Sequence, residues 1–108
     1  MHGVHVDRVQ FPAARKIKNM WYFYVLESLK DYSLYKGYTD DLKRRVSSEH
    51  NKKRGGAYSS KHAPFKVIYY EAYLEKADAT EAERFYKTGY GREILQGKLK
   101  NYLEKRDR

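Results

Sequence analysis

Trp21-Tyr22-Phe23-Tyr24-Val25-Leu26 is a continuous aromatic and branched run, and Leu34-Tyr35-Lys36-Gly37-Tyr38 answers it across the polar stretch Ser28-Leu29-Lys30-Asp31-Tyr32-Ser33. Aromatic and β-branched side chains favour the pleated, half-buried surface of a sheet. A run without polar alternation suits a central strand covered on both faces. The two runs therefore predict a β-hairpin. A symmetric turn centred between Leu29 and Lys30 sets Tyr24 opposite Tyr35 and Tyr22 opposite Gly37, and directly opposed residues share a face. A register slip of two keeps both tyrosines on that face, whereas a slip of one separates them. Gly37 leaves room there for the close approach of a neighbouring ring.

Outward from the hairpin, Thr39 or Asp40 is placed to cap a helix whose apolar positions Leu42 and Val46 lie one turn apart and which runs to about His50. The basic loop Asn51-Lys52-Lys53-Arg54-Gly55-Gly56 follows. After Pro64, Phe65-Lys66-Val67-Ile68-Tyr69-Tyr70-Glu71-Ala72-Tyr73 predicts a third strand. Asp78-Ala79-Thr80-Glu81 resembles a capping box that opens a helix through Lys87, broken by Gly89 and Gly91. Ile94, Leu95, Leu99, Tyr102 and Leu103 recur at helical spacing and predict a closing helix over Arg92 to Lys105. The expected order is β-β-α-β-α-α. Met1 to Asn19 has no sustained period, ends in Arg15-Lys16-Ile17-Lys18 and is read as a poorly ordered basic leader before a domain spanning 20–108.

The composition bounds what such a domain does. Its 108 residues carry 23 Lys and Arg against 14 Asp and Glu, a formal net charge of +9. One modest core is all a chain of this length can bury. Twelve tyrosines against four phenylalanines and one tryptophan mean that amphipathic rings build much of that core. With no cysteine, a disulfide scaffold, a Cys-ligated zinc site and a thiolate nucleophile are excluded. The longest apolar run, Met20 to Leu26, falls far short of the roughly 20 residues a membrane-spanning helix needs. No apolar stretch marks a secretory signal, so a cytoplasmic location is expected, at the nucleoid in a prokaryote. The positive excess attracts polyanions. Lys36-Gly37-Tyr38 begins the pattern of an RNA-recognition sheet, but Thr39-Asp40 ends it.

Taken in order, Tyr22-Phe23-Tyr24, then Tyr35-Lys36-Gly37 eleven residues on from Tyr24, then Tyr38-Thr39-Asp40-Asp41-Leu42-Lys43-Arg44-Arg45 resemble the motifs of the GIY-YIG nuclease family. Tyr69-Tyr70-Glu71-Ala72 and Ala82-Glu83-Arg84-Phe85-Tyr86-Lys87-Thr88-Gly89-Tyr90-Gly91-Arg92-Glu93 look like the strand and Glu-bearing helix of its small stand-alone members. These are related to the N-terminal catalytic domain of the bacterial excision-repair nuclease subunit. The resemblance spans about Met20 to Leu103. It implies an α/β fold, a three-stranded antiparallel sheet flanked by helices, and Mg²⁺-dependent cleavage of DNA, with Mn²⁺ as an alternative ion. By motif match, Tyr24 and Tyr35 are the paired tyrosines, Arg45 the helix arginine and Glu83 the metal-binding carboxylate. Tyr22 and Phe23 replace the first motif's glycine and isoleucine, and Lys36 stands where the family usually has an apolar residue.

These residue types suit phosphodiester hydrolysis, which needs an in-line water, neutralisation of a pentavalent anion and stabilisation of the leaving 3′ oxygen. An arginine fork clamps non-bridging oxygens better than an ammonium does. Tyr35 is expected to take a proton from the water with Tyr24 orienting it, helped by a nearby cation because a phenol ordinarily titrates near about 10. Leu42 and Val46 define the sheet-facing side of their helix, and Arg45 lies nearer it than Arg44. Glu81 has the capping-box position, which leaves Glu83 for the metal, although Lys87 at i+4 can pair with it. The family usually places His or Tyr four residues after the helix arginine. Here that position is Glu49, with His50 one later; either fills the role, and His50 is preferred.

Arg44, Lys52, Lys53, Arg54, Lys61, Lys87 and Arg92 are candidates for phosphate-backbone contacts, with His62 beside Lys61. Asn101 is a further polar candidate near the site. The expected activity is a structure-selective DNA endonuclease of repair or recombination. The alternative is a non-catalytic nucleic-acid-binding module on the same fold. No membrane partner is expected, and oligomeric state stays open.

Overall fold

In the computed structural model, which describes residues 19–51 and 61–107, with backbone alone at 48–51, three strands form one antiparallel sheet. They are β1 (Trp21–Ser28), β2 (Leu34–Thr39) and β3 (Phe65–Tyr73), in the order β2-β1-β3. The expected leader, apart from Asn19, lies outside the described residues, as do Lys52, Lys53 and Arg54. Helix α1 (Leu42–Asn51) follows β2, and α2 (Lys76–Tyr86), α3 (Gly89–Lys98) and α4 (Lys100–Arg106) follow β3. The fold class is the α/β arrangement expected from the sequence. No helix among the described residues is long and apolar enough to cross a membrane.

Strand β1 is central, and its uninterrupted apolar run is buried on both faces, with Phe23, Tyr24, Val25 and Leu26 fully inaccessible. Alternate residues serve two separate cores. Phe23 and Val25 pack with Ala82, Tyr86, Leu95 and Leu99 beneath α2 and α3, and the Phe23 and Tyr86 rings stack 4.7 Å apart. Tyr24 and Leu26 pack with Ala63 and Phe65, and Leu42 and Val46 of α1 close over them. A bulge after Val25, which faces Tyr69 while Leu26 faces Val67, puts one extra residue, Ile68, into β3.

The hairpin register differs from the symmetric expectation by two residues. Tyr24 faces Gly37, Tyr22 faces Thr39 and Leu26 faces Tyr35. The turn chemistry explains the shift. Ser28 N–H donates to Ser33 O at 2.8 Å, and the Ser28 hydroxyl accepts from the N–H groups of Lys30 and Asp31. The loop is thereby Leu29 to Tyr32, with Tyr32 at φ 65° and the Asp31 carboxylate accepting from Ser33 N–H and Oγ. A two-residue slip preserves facing, so Tyr24, Tyr35 and Gly37 share the α1 side of the sheet.

Four helix boundaries also depart from expectation. Asp41, not Thr39 or Asp40, caps α1, accepting from Arg44 N–H at 3.0 Å, while Thr39 Oγ1 accepts from Asp41 N–H. Helix α2 begins at Lys76, so Asp78 lies inside the first turn and the Asp78-to-Glu81 capping box does not form; Glu75 precedes the helix without a side-chain cap. Gly89 and Gly91 open α3 rather than merely ending α2. Thr88 Oγ1 accepts from Gly91 N–H at 3.0 Å, and a Cβ on Gly91 would meet Phe85 O at 1.9 Å. Only glycine fits that crossing. The expected single closing helix is interrupted at Leu99, which is buried at the junction of α3 and α4.

A carboxylate knits the α2 and α3 layer to β3. Glu71 accepts hydrogen bonds from the phenols of Tyr69, Tyr73 and Tyr86 and from Lys98 Nζ at 3.2 Å. Burial pushes its carboxyl up, but these donors outweigh burial and hold it at about 2 against an ordinary 4.5. A folded-state pKa below the unfolded one contributes stability above the unfolded value, lost as pH falls through the folded value. Urea midpoints are therefore expected to decline between pH 4.5 and 2, and Glu71→Gln to flatten that decline; an equal decline in both proteins would assign it to other carboxylates.

Candidate functional site

Tyr24, Tyr35, Arg45 and Glu83 line one cavity of about 520 Å³ with Gly37 and Lys87. Four elements converge on it: β1 and β2 bring the tyrosines, α1 the arginine and α2 the glutamate. Because α1 and α2 cover opposite faces of the sheet, the cavity wraps the outer edge of β2. Its remaining wall is Leu34, Lys36 and Tyr38. A larger groove of about 690 Å³ lies between α1 and β3, lined by Tyr22, Leu42, Val46, Val67 and Tyr70 with Asp40, Asp41 and Lys43. The smaller cavity is the candidate site, because it combines phenols, a guanidinium and a recessed carboxylate, which the larger groove does not.

Local structure aims each side chain. Tyr24 is fully buried against Leu26, Ala63 and Phe65, so its ring cannot swing. Its hydroxyl end passes directly over Gly37, where a Cβ would come within 2.5 Å of Oη and 2.7 Å of Cζ. The missing side chain is therefore what lets the phenol extend to the cavity. The Tyr35 ring is tilted against Phe65 at 6.1 Å. Arg45 is exposed one residue before the inward-facing Val46, with its N–H bonded to Asp41 O. The Glu83 side chain is 23% exposed and accepts from Lys87 Nζ at 3.1 Å.

Gly37→Ala forces the Tyr24 phenol back by up to about 1 Å. For the phosphodiester cleavage that the sequence resemblance implies, a displacement of that size at a reacting centre predicts a rate at least about tenfold lower. Overpacking lowers stability by about 1–3 kcal/mol as well. Cleavage kinetics beside thermal melting check both; an unchanged rate would mean that the Tyr24 hydroxyl is not needed at the cavity.

The other residues singled out in the sequence are distributed differently. Arg44 is exposed on α1, pairs with Asp40 at 3.8 Å and Asp41 at 3.6 Å, and does not line the cavity. Lys61 is exposed, and its carbonyl accepts from Lys30 Nζ. His62 pairs with Asp31 at 2.7 Å beside the hairpin turn. Arg92 lines a neighbouring cavity, and Asn101 is exposed on α4, away from the residues lining the site. The side chains of Glu49 and His50 are outside the described residues. Lys36, quoted in the sequence only as a departure from an apolar position, reaches the C-terminus of α2, donating to Tyr86 O at 2.9 Å.

No group of three or more His, Cys, Asp or Glu side chains gathers as a metal cluster among the described residues. Among the described residues, Glu83 is the one carboxylate lining the cavity. A single hard oxygen donor facing open space fits Mg²⁺, which keeps several waters and binds through one or two carboxylates plus substrate phosphate.

Comparison with known proteins bears on this geometry. The family profile of the GIY-YIG catalytic domain matches residues 20–101. A UPF0213 protein of Bacillus licheniformis is 34% identical over 90 residues, covering 83% of this chain and 86% of that protein. UPF0213 protein SAG0778 of Streptococcus agalactiae is 44% identical over 71 residues, covering 66% and 78% respectively. The solution NMR structure of UPF0213 protein BH0048 from Bacillus halodurans is 32% identical, covers 72% of this chain and 83% of that chain, and superposes with a TM-score of 0.44.

Proposed function

The chain belongs to the GIY-YIG catalytic-domain family, and from that premise we propose that it is a metal-dependent DNA endonuclease hydrolysing phosphodiester bonds. One observation carries the reading: Tyr24, Tyr35, Arg45 and Glu83 share a single cavity although they come from four elements. In this reading Glu83 holds the ion. Mg²⁺, with Mn²⁺ able to replace it, supplies charge stabilisation of the leaving 3′ oxygen when bound. Arg45 clamps the non-bridging oxygens as negative charge accumulates on phosphorus. Tyr35 takes the proton of the attacking water as it passes its own phenolic proton to neighbouring solvent, Tyr24 holds that water in line, and His50 is assigned contact with Tyr35 or the water. Oxygen–phosphorus bond formation and P–O3′ cleavage then leave a 5′ phosphate and a 3′ oxygen that takes a proton from solvent to become the hydroxyl.

The lining supports shape selectivity rather than base readout. Cations and phenols around an open cavity suit phosphate and sugar contacts, which position a duplex without reading its sequence. A branched, flapped or single-strand end is thus the expected substrate, in repair or recombination, reached in the cytoplasm. A second reading, a nucleic-acid-binding module that does not cut, is favoured by the Glu83–Lys87 ion pair, because a carboxylate already neutralised is a weaker ligand. A cleavage screen over duplex, flap, branched and single-stranded DNA with Mg²⁺ or Mn²⁺ separates them. Metal-stimulated nicking of at least one shape is expected. Salt-sensitive binding with no metal-stimulated cleavage would select the binding module instead.

A further inference from the structure

Lys36 and Leu34 line two cavities at once, the candidate site and an adjoining hollow of about 280 Å³ that also has Arg92, Gln96 and Arg106 on its walls. Lys87 stands on the first cavity and Arg92 on the second. Among the described residues neither Lys36 nor Arg92 forms an ion pair with a carboxylate, whereas Lys87 is held by Glu83 and Arg106 by Glu27. We propose that Lys36, Lys87 and Arg92 form a phosphate subsite, binding a second phosphate of the strand whose scissile phosphate occupies the catalytic cavity. This rests on the nucleic-acid reading above and extends it by giving the strand a direction, from Arg45 past Lys36 toward α3.

Three physical points support the assignment. Lys36 is half-buried on an edge strand, where removing an ammonium from water costs free energy unless a polar or anionic partner meets it. Burial and then the nearby charges of Arg92 and Lys87 push its ammonium below its ordinary pKa, so like charges converge here at a cost that a bound anion removes. Its bond to Tyr86 O uses one of three ammonium protons and leaves two for a ligand. The alternative is that Lys36 only caps the exposed carbonyl end of α2.

The test uses the full chain and a fluorescent flap DNA in metal-free buffer, so that binding is read without turnover, over roughly 50–200 mM salt. Lys36→Gln keeps a polar, hydrogen-bonding side chain one bond shorter but loses the charge; Arg92→Gln alters an exposed residue; Lys43→Gln removes equal charge on the groove between α1 and β3. Each subsite variant is expected to bind about 3–10-fold more weakly and to lower the salt slope by about 1, with Lys43→Gln smaller in both respects. If wild type binds none of the DNA shapes, the nuclease reading itself falls. If wild type binds and cuts while Lys36→Gln and Arg92→Gln match its affinity and slope, the subsite is wrong and the nuclease reading stands. A lower melting temperature for Lys36→Gln with an unchanged slope would assign Lys36 to helix capping alone, and equal losses in Lys43→Gln would reduce the effect to net charge.

Discussion

Arg45→Ala is expected to lower metal-supported DNA cleavage by on the order of 10²-fold or more, with far less effect on DNA affinity. Arg45 is exposed at the cavity rim, so its removal costs little folding energy, yet the guanidinium is the cation α1 contributes where negative charge would accumulate. Tyr35→Phe and Glu83→Ala are expected to lose similar amounts for different reasons. The first removes the proposed proton acceptor while leaving the ring against Phe65; the second removes the proposed metal ligand and releases Lys87. Effects of groups acting together are not additive, so a double variant is expected to be little worse than either single one. Single-turnover rates at saturating enzyme check this. Three variants that cut as fast as wild type would remove the cavity from the chemistry.

Arg106→Ala is expected to destabilise the fold by about 3 kcal/mol, a large fraction of the roughly 5–15 kcal/mol that holds a domain together. Glu27 on β1 is 1% exposed and accepts from Arg106 and from the Tyr102 hydroxyl, so it anchors α4 beneath the sheet. Without Arg106 the carboxylate keeps one neutral donor and remains buried. Arg106 itself is 24% exposed and also meets Asp107, which places the cost at the low end for buried pairs. The double variant Glu27→Leu/Arg106→Leu removes both charges and is expected to be closer to wild type than Arg106→Ala. Urea unfolding checks the ordering; a single variant as stable as wild type would show that the pair does not hold α4.

Much of the fold was legible because the apolar patterns are strong. The run from Trp21 to Leu26 can be buried on both faces only as a central strand, and Phe65 to Tyr73 matches β3 in extent. Register and caps were harder, since they depend on hydroxyl and carboxylate groups choosing among adjacent N–H donors. Ser28 moved the turn centre by one residue, and Asp41 took the capping position from Thr39 and Asp40. Tyr24, Tyr35, Arg45 and Glu83 were legible through motif resemblance, not through local pattern. Lys36 was not assigned a role, because the carbonyl it reaches lies 50 residues away and only tertiary packing brings α2 to β2. Glu27 and Glu71 escaped notice for the same reason: their partners on α4 and on α2 and α3 are remote in sequence.

The most direct test of the central claim is the Mg²⁺ dependence of single-turnover cleavage by wild type and Glu83→Gln on the DNA shape wild type cuts best. A saturable rise with Mg²⁺, abolished by chelator and depressed by on the order of 10²-fold in Glu83→Gln, is the predicted result. Cleavage indifferent to chelator, or equally fast in Glu83→Gln, would contradict it.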